Sequence, residues 1–254
     1  MRRFLQAGVM VHGVVQDREE GTPQGGPLSP LLSNILLDEF DRELKRRGHR
    51  FCRYADDCNI YVKTERAGQR VMESVTRFLE QKLRLKVNRA KSAVDRSGQR
   101  KFLGLRILRH GGKAIFSIAP KSLARLKAKV REITRRSRGV SLERMLRELG
   151  RVTDGWVEYF RLARTPSTYE KLDRWIRRKL RCYLYKQWKK PRKRARELIK
   201  LGAERRLAWG TVTKDYNPWK VAGSPVMALF VTNAHLERLG YSSLYRRHLM
   251  LPSS

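Results

Sequence analysis

The sequence predicts an α+β chain in which short antiparallel strands with helices come first and an all-helical region follows. Three observations carry that reading. Phe51-Cys52 and the Cys58, Ile60, Tyr61, Val62 run are two short apolar stretches split by the polar break Arg53-Tyr54-Ala55-Asp56-Asp57, the pattern of a β-hairpin. Phe102 to Leu108 and Ala114 to Ile118 flank Gly111-Gly112 and read as another hairpin. From Pro120 onward the strand signals stop, and apolar residues recur at helical spacing.

Taken in order, Val9, Val11, Val14 and Val15 predict a short strand pair turning at Gly13, and Asp17 to Glu20 lead into a loop. The three glycines and three prolines between 21 and 30 preclude regular structure there and let backbone N–H groups come close to a ligand. Ser29-Pro30 starts a helix, with serine as N-cap and proline in the first helical position. Leu32, Ile35, Leu36, Phe40 and Leu44 form its apolar stripe, and Gly48 ends it. After the first hairpin, residues 66 to 83 read as an amphipathic helix with Val71, Val75, Phe78 and Leu79 inward. Residues 85 to 94 read as a short strand and a turn around Asn88.

The helical part opens with a basic amphipathic helix over 121–136, with Leu123, Leu126, Val130 and Ile133 on one side. Ser141 caps the next helix, on which Trp156, Tyr159 and Phe160 share i, i+3, i+4 spacing and so predict a helix core. Ser167 starts a long helix with Tyr169, Leu172, Ile176, Leu180 and Tyr183 on its apolar stripe. Beyond Leu207 the pattern weakens. Pro218, Gly223 and Pro225 suggest an irregular tail with one short helix at 236–239. The expected divisions are therefore 1–118, 119–206 and 207–254.

Charge narrows the function classes. Lys and Arg number 58 against 24 Asp and Glu, a net charge of +34, and an excess of that size supports association with a polyanion, usually nucleic acid. A membrane surface is the rival, but no run of about eighteen apolar residues exists to span a bilayer. The start, Met1-Arg2-Arg3-Phe4-Leu5, lacks the apolar core of a signal peptide. Cys52, Cys58 and Cys182 fit neither a disulfide framework nor a paired zinc site, which points to a reducing, cytoplasmic compartment. The five histidines show no metal-ligand spacing.

Between Lys171 and Arg206 sixteen basic residues face three acids, a local balance of +13, with Trp175, Tyr185 and Trp188 interleaved. Charge runs are usually solvated faces. At this density an RNA-binding face is the better reading, made of Arg174, Arg177, Arg178, Arg181, Lys189, Lys190, Arg192, Lys193 and Arg194.

An Asp-Asp pair is by itself an ordinary turn. On a rigid hairpin the same pair suits a divalent metal, because Mg²⁺ takes oxygen ligands and completes its shell with substrate phosphates. Two such ions clamp the attacking and leaving oxygens of an in-line phosphoryl displacement.

Context decides between these. Tyr54-Ala55-Asp56-Asp57 between apolar strands resembles the catalytic hairpin of reverse transcriptases. Gly21-Thr22-Pro23-Gln24-Gly25-Gly26-Pro27-Leu28-Ser29-Pro30-Leu31-Leu32-Ser33-Asn34 resembles their nucleotide-pocket motif. Leu85-Lys86-Val87-Asn88-Arg89-Ala90-Lys91-Ser92 and Lys101-Phe102-Leu103-Gly104-Leu105 resemble the two palm motifs that follow, and Gly155-Trp156-Val157-Glu158-Tyr159-Phe160 resembles the helical maturase domain of group II intron proteins. Five blocks in the family's order cover about residues 8 to 200.

The resemblance implies a partial reverse-transcriptase palm followed by a helical thumb/maturase domain. It implies RNA-directed DNA polymerisation by two-metal-ion nucleotidyl transfer, with Mg²⁺ on Asp56 and Asp57, and intron RNA binding in the splicing and mobility of a mobile element. Pro23, Gln24, Gly25, Tyr54 and Ala55 would line the nucleotide pocket, and Phe102, Leu103 and Gly104 would grip the primer. Lys91 would sit near the triphosphate, neutralising charge or donating a proton to pyrophosphate. The partners implied are group II intron RNA, an RNA template with a DNA primer, and deoxynucleoside triphosphates.

One departure matters. Family members carry a third metal aspartate on an earlier palm strand, whereas Asp17 sits too close to the loop to take that place, so the fingers and first palm strand are expected to be missing. The chain alone is then expected not to polymerise, and to need an N-terminal fingers/palm polypeptide or a second copy. The alternative is a non-catalytic maturase that stabilises folded intron RNA. A general basic RNA-binding protein fits the charge but leaves the ordered motifs unexplained.

Overall fold

The computed structural model describes residues 9–11, 14–16, 29–214 and 216–251. The chain divides into two compact units, Met1–Phe102 and Leu103–Ser254. The hairpin that follows Gly104 therefore groups with the helices, whereas the sequence reading drew the division after residue 118.

In the first unit, β1 (Val9–Val11) pairs antiparallel with β2 (Val14–Gln16). Helix α1 spans Ser29–Arg46 and buries Leu37, Phe40 and Leu44. The expected stripe is corrected by one position: Ile35 and Leu36 are exposed, and Leu37 points inward. Near-continuous leucines between 31 and 37 offer two faces at helical spacing, and only the packing partner selects one. The helix ends in a Schellman motif, in which Gly48 (φ +70°) donates to the Lys45 carbonyl at 2.9 Å and His49 to the Leu44 carbonyl at 3.0 Å.

Strands β3 (Arg50–Tyr54) and β4 (Asp57–Tyr61) form the expected hairpin, in register from Arg50 opposite Tyr61 to Tyr54 opposite Asp57. Thr64 caps α2 (Glu65–Arg77) by accepting from Ala67 N, and the helix widens into a π turn over Phe78–Lys82. Val75 and Leu83 join the α1 core, with Phe51, Cys58, Ile60, Val71, Phe78, Leu79 and Leu85 packed around it. The strand expected over 85–94 does not form. Leu85 donates instead to the Leu79 carbonyl, and Asn88 Oδ1 accepts from Lys91 N at 3.2 Å, so local bonds replace a ladder.

The second unit opens with β5 (Leu105–His110) and β6 (Lys113–Ile118), joined by Gly111 and Gly112 at φ +57° and +77°, the signs a type I′ turn requires. Four helices then build a core: α3 (Pro120–Ile133), α4 (Leu142–Tyr159), α5 (Pro166–Gln187) and α6 (Pro191–Lys200). On α3 the expected Leu126, Val130 and Ile133 are buried and Leu123 is half-buried, and on α5 Tyr169, Leu172, Ile176, Leu180 and Tyr183 are buried. The aromatic triplet divides. Phe160 is buried at 5 %, but Tyr159 is 59 % exposed, because its hydroxyl reaches out to the Leu103 carbonyl at 3.1 Å.

The irregular tail expected after 207 is also corrected. It folds as α7 (Arg205–Val212), α8 (Pro218–Ala222), α9 (Pro225–Phe230), α10 (Asn233–Arg238) and α11 (Leu244–Met250), and Ala208, Val212, Val221, Met227, Leu236 and Leu244 join the same core. Asn217-Pro218 and Ser224-Pro225 are N-cap–proline pairs that start helices, since Asn217 accepts from Lys220 N and Ser224 from Met227 N.

One buried carboxylate locks this segment to α5. Asp173, 1 % exposed, accepts from Tyr241 Oη at 2.6 Å, Leu244 N at 2.9 Å, Tyr245 N at 3.1 Å and the Ser243 hydroxyl, with Arg177 Nη2 at 3.4 Å. The two amides belong to the first turn of α11, whose unpaired N–H groups favour an anion.

On the same helix His248 stacks on Tyr169 with ring centroids 4.0 Å apart. Burial holds His248 and His235 below the ordinary value of 6.5. Both protonate more readily in the unfolded chain, so stability present above pH of about 6.5 is lost as pH falls through the lower folded values. Thermal unfolding between pH of about 7.5 and 5 is expected to show a falling midpoint, flattened in His248→Phe, which keeps a ring on Tyr169.

Candidate active site and nucleic-acid interface

The turn between β3 and β4 is two residues long, Ala55-Asp56, and Asp57 begins β4 opposite Tyr54. Ala55 has φ +52°, a left-handed conformation that non-glycine residues adopt at a cost of about 1–2 kcal/mol. Such a turn persists only if its surroundings hold it. Arg53 does so. Its Nε and Nη2 form a fork on Asp41 at 2.8 and 2.6 Å, and its Nη1 donates to Asn34 Oδ1 and to the Ala55 carbonyl, both at 3.0 Å. The Asp41 hydrogen bonds raise the Arg53 guanidinium above its ordinary value, burial opposing them. One side chain thus ties the acidic turn to α1.

These tying residues escape a motif reading. The signal available is that Asn34 and Asp41, seven residues apart, share one face of α1, and that Arg53 immediately precedes the Tyr-Ala-Asp-Asp run.

Asp56 and Asp57 are exposed, and among the described residues neither carboxylate carries a hydrogen bond or ion pair. Asp38, Asp41, Asp154 and Asp173 are all engaged. Two adjacent oxygen-only ligands with no internal partner fit a hard divalent cation. They are not a full cage, as no group of three or more His, Cys, Asp or Glu converges among the described residues. Tyr54 beside them is 63 % exposed.

The other expected site residues are placed as follows. Pro23, Gln24 and Gly25 lie outside the described residues. Lys91 is exposed on the Asn88 turn, its carbonyl accepting from Arg100 Nη2 at 3.1 Å. Leu103 and Gly104 form a left-handed pair at φ +50° and +77°. Gly104 O accepts from Ala119 N at 2.9 Å and Ser122 Oγ at 3.1 Å, and a Cβ at Gly104 would stand 2.8 Å from Ser122 Oγ. Glycine is required there twice over, by φ and by space. Phe102 is the last residue of the first unit.

The basic residues fall into two groups. Arg177 reaches Asp173 and Ser243, Arg178 donates to the Trp219 carbonyl, Arg181 donates to the Val231 carbonyl and Asn233, and Arg194 donates to the Tyr185 carbonyl with its guanidinium 4.3 Å from the Tyr185 ring centroid. These four hold the unit together. Arg174 pairs with Glu170 at 3.1 Å, while Lys189, Lys190, Arg192 and Lys193 are exposed without a carboxylate partner among the described residues. Also among the described residues, no helix is long and apolar enough to cross a membrane.

The first unit thus carries an acidic two-residue hairpin turn, and the second is helical and strongly basic. Residues 2–107 match the reverse transcriptase (RNA-dependent DNA polymerase) family, and residues 123–202 match the group II intron maturase-specific domain. These two matches, in that order, make the chain similar to group II intron reverse transcriptases/maturases, and reverse transcriptases generally use divalent metal ions. It is 31 % identical to Protein YkfC of Escherichia coli (strain K12), over 48 % of this chain and 42 % of that protein. It is 27 % identical to the group II intron-encoded protein LtrA of Lactococcus lactis subsp. cremoris, over 43 % and 29 %. It is 35 % identical to the retron Mx65 reverse transcriptase of Myxococcus xanthus, over 36 % and 22 %. The chain thus spans less than half the length of each of these relatives.

Proposed function

We propose that the first unit carries the metal-binding part of a reverse-transcriptase palm, with Asp56 and Asp57 holding Mg²⁺, and that the second unit binds group II intron RNA. The observation that supports it is the unpartnered carboxylate pair on a turn fixed by Arg53, within the region that matches reverse transcriptases. Bound Mg²⁺ would lower the pKa of the primer hydroxyl and stabilise the departing pyrophosphate. The chain's own part is to hold two carboxylates at a fixed point, with Tyr54 and Ala55 beside them at the nucleotide. Lys91 would neutralise triphosphate charge, and Leu103-Gly104 would seat the primer end.

Two carboxylates leave the site one protein ligand short of the family's three. A third would come from outside the described residues, whether from an N-terminal fingers/palm polypeptide or from a second copy. The RNA-facing residues of the second unit would be Arg174, Lys189, Lys190, Arg192 and Lys193.

The test is primer extension on an RNA template with Mg²⁺ and deoxynucleoside triphosphates, alongside binding to group II intron RNA over a salt series. The chain alone is expected to extend no primer. A polypeptide carrying the third carboxylate is expected to restore extension, and Asp56→Ala with Asp57→Ala to remove it again while RNA binding is unchanged. Extension that survives the double substitution would sink the metal assignment. RNA binding that is absent or indifferent to salt would sink the maturase half.

A further inference from the structure

Helices α3 and α5 bring basic residues together on a face that the dense charge run does not mark. Lys127 and Arg131 lie one turn apart on α3, and Trp175 and Lys179 one turn apart on α5. Lys127 Nζ, Arg131 Cζ and Lys179 Nζ stand 5.9, 5.5 and 5.9 Å from the Trp175 ring centroid. Lys179 Nζ is also 5.6 Å from the ring of Trp219 on α8, whose other cation, Arg178, is fixed by the Trp219 carbonyl. One lysine therefore joins two indole rings into a single strip.

No carboxylate neutralises this strip among the described residues. Lys127, Arg131 and Lys179 have no ion-pair partner, and Glu132, the acid next in sequence to Arg131, is taken by Lys129 at 3.0 Å. Other basic side chains of the unit are neutralised, Arg174 by Glu170 and Lys200 by Glu197. Burial pushes the Lys179 ammonium below its ordinary value, Cys182 opposes this, and the positive charges of Arg131 and Lys186 push it down further. Like charges gathered on partly desolvated ground repel, and aromatic faces offset only part of that. An anion would relieve the rest.

We propose that the α3–α5–α8 face, where Lys127, Arg131 and Lys179 gather over Trp175 and Lys179 reaches Trp219, is a docking strip for the phosphodiester backbone of RNA. This rests on the reading of the second unit as an RNA-binding domain and names the surface that does the binding. A row of separate cations matches a row of phosphates better than it matches a single carboxylate, and the indole rings add faces on which a sugar or an unpaired base can rest. Contacts of this kind position RNA without reading its sequence.

The full chain is titrated with a fluorescently labelled single-stranded RNA of about 20 nucleotides over a salt series. Four proteins are compared: wild type, Lys127→Gln/Arg131→Gln/Lys179→Gln, Lys189→Gln/Lys190→Gln/Lys193→Gln, and Lys179→Arg. The first variant is expected to lose about 30-fold or more in affinity and to flatten the slope of log K against log salt by about 2, since each phosphate contact on a single strand contributes about 0.7. The second variant, at residues already read as RNA-facing, is expected to lose less, about 10-fold. Lys179→Arg, which keeps the charge, is expected to bind as wild type does.

Thermal unfolding separates binding from structure. The strip variant is expected to melt at or above the wild-type temperature, because like charges have been removed. Wild-type affinity and slope in the strip variant, or a loss of binding accompanied by a lower melting temperature, would overturn the proposal. If the 189–193 variant alone loses RNA, the strip falls while the RNA-binding reading stands. If wild type binds no RNA, both fall. Inorganic phosphate that displaces the RNA better than chloride at equal ionic strength would reassign the strip to free phosphate.

Discussion

Asp173→Ala is expected to destabilise the helical unit by about 4 kcal/mol, lowering its melting temperature by about 10 °C. The substitution strips four donors of their acceptor at once, namely the Tyr241 and Ser243 hydroxyls and the Leu244 and Tyr245 amides, and leaves Arg177 without its carboxylate. Each orphaned buried donor costs about 1–3 kcal/mol, less than additively because the segment relaxes. Relaxation here means release of α11, which drags His248 off Tyr169. Asp173→Asn keeps the shape but turns an NH₂ group toward donors, so it is expected to recover less than half of the loss. A drop of under about 2 °C in the alanine variant would show that core packing alone holds the C-terminal segment.

Arg53→Ala is expected to weaken the first unit by about 2–3 kcal/mol and to speed hydrogen exchange at the amides of residues 54–57 by about tenfold or more. The Arg53 side chain is 12 % exposed and Asp41 21 %, so the fork is shielded and its loss leaves a half-buried carboxylate unpaired. Arg53→Lys keeps the charge but not the planar fork and is expected to fall between the two. A double-mutant cycle with Asp41→Asn isolates the pair, with an expected coupling of about 1.5–3 kcal/mol. Coupling below about 0.5 kcal/mol would mean that the turn holds itself.

The legible parts of this chain are those where local chemistry and packing agree. The Arg50–Tyr54 and Asp57–Tyr61 strands follow from short apolar runs around a polar break, and the long α5 stripe from five apolar residues with a single consistent face. Where a segment offers two faces, as the leucines of α1 do, periodicity cannot choose, and the choice made by packing moves the buried position from Leu36 to Leu37. The short helices after 207 defeat periodicity because five to eight residues hold too few turns to show it, although their N-cap–proline pairs are present.

For the site, the acidic pair is legible and its support is not. Nothing in composition distinguishes Arg53 from other arginines until α1 brings Asp41 to it. The same holds for the basic residues. Arg177, Arg178 and Arg181 read as a charged face, yet each finds an acceptor 4 to 66 residues away along the chain, while the convergence of Lys127, Arg131 and Lys179 needs two helices to be packed first.

Apart from Arg177, the donors to Asp173 come from residues 68 to 72 positions later in the chain. On the ribosome this sets an order of events. At about 5–20 residues per second, α5 emerges several seconds before the groups that satisfy its carboxylate. During that interval the Asp173 carboxylate has only Arg177 of its own helix as a partner, and the leucines and tyrosines of α5 lack their final cover. Closure of the domain is therefore deferred until residues 241–245 have been made, and a message cut short between codons 188 and 240 would yield helices that can form but cannot lock.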